Sequence, residues 1–146
     1  MRKGFWVTEH PVINRETLDA LRVELGAHFP RILGYFAEDG IKSLEAVEEA
    51  VRNRDAVALV LPAHTLKGES LQFGAERLGY AAGYIEDAAR DGVEMRGFPP
   101  EIVEYGARLR RLFEEALTAL QSEAALAPAV PASIRRPAAG FGRKIG

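Results

Sequence analysis

Apolar residues recur at helical spacing along five stretches of this chain, and the links between the last four are only a few residues long. That combination points to helices packed side by side in alternating directions. The first stretch runs from Asn14 to about Ala27. Asn14 is a good N-cap, Glu16 sits in the first turn, and Leu18, Leu21 and Leu25 share a face. The second, Pro30 to Asn53, carries Ile32, Leu33, Phe36, Leu44, Val47 and Val51; Gly34 and Gly40 weaken it and predict a break near Asp39-Gly40. The third, Asp55 to Phe73, is capped by Asp55 and contains Pro62, which predicts a kink just before His64. The fourth, Ala75 to Arg90, turns Leu78, Ala82, Ile85 and Ala89 inward and predicts Gly92 as its C-terminal stop. Gly79 and Gly83, one turn apart, predict close approach of a neighbouring helix. The fifth begins at Pro99-Pro100 and reaches about Ala125 on a stripe that includes Ile102, Leu109, Phe113 and Leu120. The fold class is therefore all-α, an antiparallel up-and-down four-helix bundle with additional helical cover at the N-terminus.

The bundle is expected to occupy residues 1–126, with Phe5, Trp6, Val7 and Ile13 folding back to cover apolar surface. Residues 127–146 hold three of the eight prolines and four basic residues without an acid, which reads as a flexible basic tail. Setting those four aside leaves 15 basic against 21 acidic residues in 1–126, a net −6. The whole chain carries −2, too mild to argue for nucleic acid. There is no cysteine, so neither a disulfide framework nor thiolate chemistry. The basic start lacks an apolar signal core, and no apolar run approaches the roughly 18 residues of a membrane span. The expected setting is the cytoplasm, with no membrane partner.

The third helix holds the chemistry. At about 100° per residue, Leu59, Ala63, Leu66, Ser70 and Phe73 gather on one side, and His64, Lys67, Gly68 and Leu71 gather on another. An imidazole, an ammonium one turn on and a glycine beside it thus share a face that need not be core. Gly68 costs a helix interior about 1 kcal/mol against Ala, so a bare patch of backbone there suits the close approach of another molecule.

Ala63-His64-Thr65-Leu66-Lys67-Gly68, followed by Gly74-Ala75, resembles the signature of the histidine phosphotransfer (HPt) domain family. The resemblance extends from about Asn14 to Gly92, and covers the last helix by pattern. Glu69 and Leu71 depart from it, standing where the family usually has small residues; Glu69 is expected to point towards a neighbouring helix or out to water. By this resemblance, the chain relays a phosphoryl group between receiver-domain aspartates through His64 in a multi-step phosphorelay. A phosphoryl carrier needs a neutral imidazole nitrogen facing water, and an unperturbed imidazole titrates at about 6.5. Lys67 can place positive charge beside the transferred oxygens, Gly68 leaves room, and Leu61 and Leu71 offer either an apolar docking rim or simple packing. The resemblance also implies that Glu86, about 22 residues after the histidine, orients its ring; the plainer reading pairs Glu86 with Arg90 at i,i+4.

His10 and His28 have no His, Asp or Glu at i+3 or i+4, and the chain shows neither an Asp-rich cluster nor a Gly-rich phosphate loop. No metal ligands are assigned and no cofactor is expected on this chain. The resemblance implies a response-regulator receiver domain as partner, bringing both the aspartate and a magnesium ion, with a hybrid histidine kinase as a second candidate. The protein would then be a stoichiometric carrier without an ATP site. The rival reading is a non-catalytic bundle of the same shape that acts as an inhibitor or adaptor of a kinase or response regulator.

Overall fold

The computed structural model describes residues 7–126. The expectations for Phe5, Trp6 and the basic tail lie outside that range. Helix α1 spans Arg15–Leu25 and passes through a 3-10 turn, Gly26–His28, directly into α2, Phe29–Arg52. Helices α3 (Ala56–Gln72), α4 (Glu76–Met95) and α5 (Glu101–Ala124) follow. Helix α2 packs on α3, α3 on α4, α4 on α5 and α5 back on α2, which closes the four-helix ring. Leu44, Leu59, Leu66, Leu78, Ile85, Leu109, Phe113 and Leu120 fill it, each with almost no surface left in contact with water.

Helix α1 is cover rather than wall. It buries Leu18 and Leu21, and Arg15 and Arg22 both reach Glu123 near the end of α5, at 2.8 and 3.3 Å. Asn14 caps it by accepting from the Thr17 N–H at 3.1 Å. The same residue ties α1 to the bundle, since its backbone N–H donates to the Gly74 carbonyl at 2.7 Å and its side chain donates to Glu76 at 2.6 Å. Val7 is buried in the core and Ile13 packs against it.

Helices α2, α3 and α4 end alike. In each, one residue turns left-handed, and its N–H and the next both bond back to the last turn: Arg54 to Val51 and Asp55 to Ala50, Gly74 to Leu71 and Ala75 to Ser70, Arg96 to Val93 and Gly97 to Gly92. Only the middle one uses glycine. There a Cβ would lie 2.9 Å from the Asn14 carbonyl oxygen, so the site needs both the conformation and the space.

Two sequence expectations are corrected here. Gly92 does not stop α4, which continues to Met95. It is a buried close-approach position, where a Cβ would lie 2.8 Å from Pro99 and 3.1 Å from Ala56, and the terminating turn falls to Arg96. Nor is α2 broken at Gly40. It runs unbroken for 24 residues, and Gly40 instead makes room for the Phe113 ring. Pro62 sits inside α3.

Two stability measurements follow from these contacts. A Cβ at Gly40 would lie 2.5 Å from Phe113 in a packed core, whereas one at exposed Gly34 meets nothing within 4 Å. Urea unfolding should show Gly40→Ala destabilised by about 1–2 kcal/mol after the helix-propensity gain is counted, and Gly34→Ala stabilised by up to about 1 kcal/mol. Arg96→Gly should stabilise the bundle by about 0.5–1 kcal/mol, because an exposed side chain is removed from a left-handed position.

Candidate functional site

Helix α3 divides its residues as its spacing requires. Leu59, Ala63, Leu66 and Ser70 are fully buried, while the His64 side chain is 56% exposed. The flank of α3 beside His64 lies on α4, and the fit there depends on two glycines. At Gly79 a Cβ would collide with Leu71, and at Gly83 it would meet the Lys67 stem at 3.1 Å. The helices run in opposite directions, so the pairing is regular: Leu71 opposite Gly79, Lys67 opposite Gly83, His64 opposite Glu86. The bare backbone of α4 lets α3 come close, and that closeness brings the imidazole to the carboxylate.

Glu86 is the centre of the site. Its side chain is 5% exposed and gathers three cationic or N–H groups. The Nδ1 atom of His64 lies 2.9 Å from Oε2. Arg90, one turn further along α4, donates to the same oxygen from Nε at 3.0 Å and from its terminal nitrogen at 2.8 Å. The Lys67 ammonium lies 3.1 Å from Oε1. Burial pushes the Glu86 carboxyl up, but the bonds from Arg90, Lys67 and His64 together outweigh it and hold the group below its ordinary value. Glu86 is therefore an anion at neutral pH and can only accept hydrogen bonds. The proton between it and His64 belongs to Nδ1, which leaves the Nε2 lone pair free on an exposed ring.

The structure thus brings His64, Lys67 and Glu86 together. Glu86 meets both His64 and Arg90 through the same oxygen, and it does so as a buried carboxylate rather than a surface one. A Cβ at Gly68 would meet nothing within 4 Å, so the surface beside the histidine is open. Leu61 stands out at 71% exposure. Leu71 is half-buried with its methyl against Gly79, which places it in the helix–helix contact rather than on an exposed rim. Glu69 turns toward α2, where burial first and nearby Asp39 second raise its carboxyl above the ordinary value. Sequence reasoning treated Arg90 only as a competitor for Glu86; the i,i+4 spacing was visible, but not that it shares its oxygen with the imidazole. His10 stacks on Tyr80 with ring centres 4.1 Å apart, and His28 lies 3.1 Å from Arg31. Among the described residues, no group of three or more His, Cys, Asp or Glu is placed to hold a metal ion. Nor is any described helix long and apolar enough to cross a membrane.

Because the Glu86 carboxyl sits below its ordinary value of 4.5, its ion pairs contribute fully above that pH and are lost as pH falls through the depressed value. Thermal melts of Glu86→Gln should therefore fall below the wild type at pH 7, and the difference should shrink toward pH 3.

A family model described as Hpt domain matches residues 31–123. Among solved structures, the chain is similar to histidine-containing phosphotransfer protein B (HptB) from Pseudomonas aeruginosa PAO1. The TM-score is 0.70 at 24% sequence identity, over 78% of this chain and 95% of that one. No curated protein sequence gives a significant match. The matched segment begins just inside α2 and ends on the last turn of α5, so it spans the four-helix ring and leaves α1 outside.

Proposed function

This chain belongs to the Hpt domain family and is a histidine phosphotransfer protein of a phosphorelay, and we propose that His64 is the residue that carries the phosphoryl group, on its Nε2 atom. The observation that carries this is the 2.9 Å contact between Nδ1 and an ionised, buried Glu86, on a ring otherwise open to solvent. The contact fixes the tautomer and aims the free lone pair outward.

The transfer can be written from these groups. The Nε2 lone pair forms a bond to phosphorus while the bond from phosphorus to the donor aspartate's oxygen breaks, and its electrons leave with the carboxylate. The ring keeps its Nδ1 proton and takes up positive charge, which the Glu86 anion stabilises. The reverse step delivers the group to a second aspartate. Lys67 is one-third exposed and has three N–H donors, so it can hold Glu86 with one and offer another to the phosphoryl oxygens. Gly68 leaves clearance for the incoming pocket, and Leu61 gives it an apolar contact. Leu71 supports the site through α4 instead.

The partners in this reading are response-regulator receiver domains, which supply the aspartate and a magnesium ion, with a hybrid histidine kinase upstream. The reading places the exchange in the cytoplasm.

The test uses receiver domains from the same genome, phosphorylated with acetyl phosphate. Wild-type protein should take up the label and His64→Ala should take up none, with an unchanged helical circular dichroism spectrum. Label that persists in His64→Ala would refute the assignment. Binding without transfer in both proteins would favour an adaptor. Lys67→Ala should slow transfer by about 10- to 1,000-fold while leaving His64 modifiable.

A further inference from the structure

A partner that reaches Nε2 of His64 must also rest on the protein around it. Even a modest interface covers several hundred Å² of each partner, so the contact extends beyond one helical turn in some direction. The surface indicates which. Toward the C-terminal end of α3, Leu71 is turned into the α4 contact and Glu69 faces Asp39 of α2. Toward the N-terminal end the surface is apolar. Leu61 and Val57 sit one and two turns before His64 on its side of the helix, at 71% and 70% exposure. Among the described residues, no other large apolar side chain is as exposed. Val93 of α4 is also exposed, and it shares one shallow depression with Val57.

The far rim of that depression is basic. Arg54, in the α2–α3 turn, and Arg96, which ends α4, both line it and both are exposed. The Arg54 guanidinium lies over the Phe98 ring, 5.6 Å from its centre, which gives it a direction. Among the described residues, neither arginine forms a salt bridge. Asp55 lines the same depression, but its carboxylate is engaged in capping α3, where it accepts from the Ala58 N–H at 3.0 Å. Both arginines are also left-handed, with φ of 50° and 55°. An L side chain resists that conformation and glycine does not. The third turn of this kind uses Gly74. Two strained positions that open onto one depression, both filled by the same cation, point to a use for the side chains.

We propose that the partner's footprint runs from His64 over Leu61, Val57 and Val93 and ends on Arg54 and Arg96. The occupant is a helix of the receiver domain, with apolar residues three or four positions apart and a carboxylate at the end that meets the arginines. This inference rests on the phosphotransfer reading of His64. Helix α3 begins at Ala56, eight residues or about 12 Å before His64, so the two arginines act on docking and not on the imidazole.

The test exploits the strain. Replacing both arginines by glycine removes the cations and relaxes both turns, so the Arg54→Gly/Arg96→Gly variant should melt above the wild type. Its His64 should still react with phosphoramidate at the wild-type rate. Transfer is then measured against the concentration of receiver domains from the same genome, phosphorylated with acetyl phosphate. The half-saturating receiver concentration should rise by about 10- to 100-fold in this variant, with the maximal rate unchanged. Val57→Ser should raise it by about 3- to 10-fold. The Arg31→Gln/Arg111→Gln variant, which removes as much charge elsewhere, should raise it by less than about 2-fold. A wild-type value in the double-glycine variant or in Val57→Ser would overturn the proposal. So would an equal rise in Arg31→Gln/Arg111→Gln, or a matching loss of phosphoramidate labelling in the double-glycine variant. A wild-type protein that exchanges label with no receiver would instead overturn the phosphotransfer reading itself.

Discussion

A carboxylate removed from water must be neutralised where it stands, and the rest of this site is arranged around that demand. Glu86 is almost wholly buried, yet it remains an anion because Arg90, Lys67 and His64 all turn toward it. Removing a charge of this kind from water costs several kcal/mol, and good geometry with cationic partners offsets that cost. The arrangement also orients a side chain. The same oxygen that needs a hydrogen-bond donor selects the Nδ1 tautomer of His64, and that selection exposes Nε2. Ion-pair stability and the orientation of the His64 ring thus come from one contact.

That contact is possible only because α3 and α4 lie close. Gly79 and Gly83 remove two side chains from the face of α4, and Leu71 and the stem of Lys67 occupy the space. The lysine is thereby held by its alkyl part against a glycine and by its ammonium against Glu86, so it is anchored at both ends while staying partly exposed. The bundle core below supplies rigidity: Leu59, Ala63 and Leu66 hold the inner face of α3 in place. A residue at 64 then has a fixed direction to water. Helix α1, which lies outside the matched family segment, fastens the far end through Asn14, Arg15 and Arg22 without touching this chemistry.

Much of this was legible in the residues. Helical spacing identified the buried side of α3, where Leu59, Ala63, Leu66 and Ser70 all face the core, and Asn14 and Asp55 both cap the helices that follow them. What was not legible came from tertiary packing. Gly40 and Gly92 read locally as a breaker and a stop, but each is small because another chain segment presses against it. Two left-handed turns fall on Arg54 and Arg96, residue types that carry no local signal for that conformation. Leu71 shares a helical face with His64 by angle, yet Gly79 draws it into the interface. Glu86 was reachable only through family resemblance, and the joint claim of His64 and Arg90 on its Oε2 atom needed coordinates, since spacing along α4 says nothing about which oxygen is shared.

The account depends on one assignment, that the nucleophile is Nε2 of His64 with the proton held on Nδ1. Uniformly 15N-labelled protein treated with phosphoramidate, followed by long-range proton–nitrogen NMR of the imidazoles, reads it directly. The account predicts phosphorus bonded to Nε2 of His64, a proton retained on Nδ1, and unmodified rings at His10 and His28. A phosphoryl group on Nδ1 of His64, or a label found on His10 or His28 in place of His64, would contradict it.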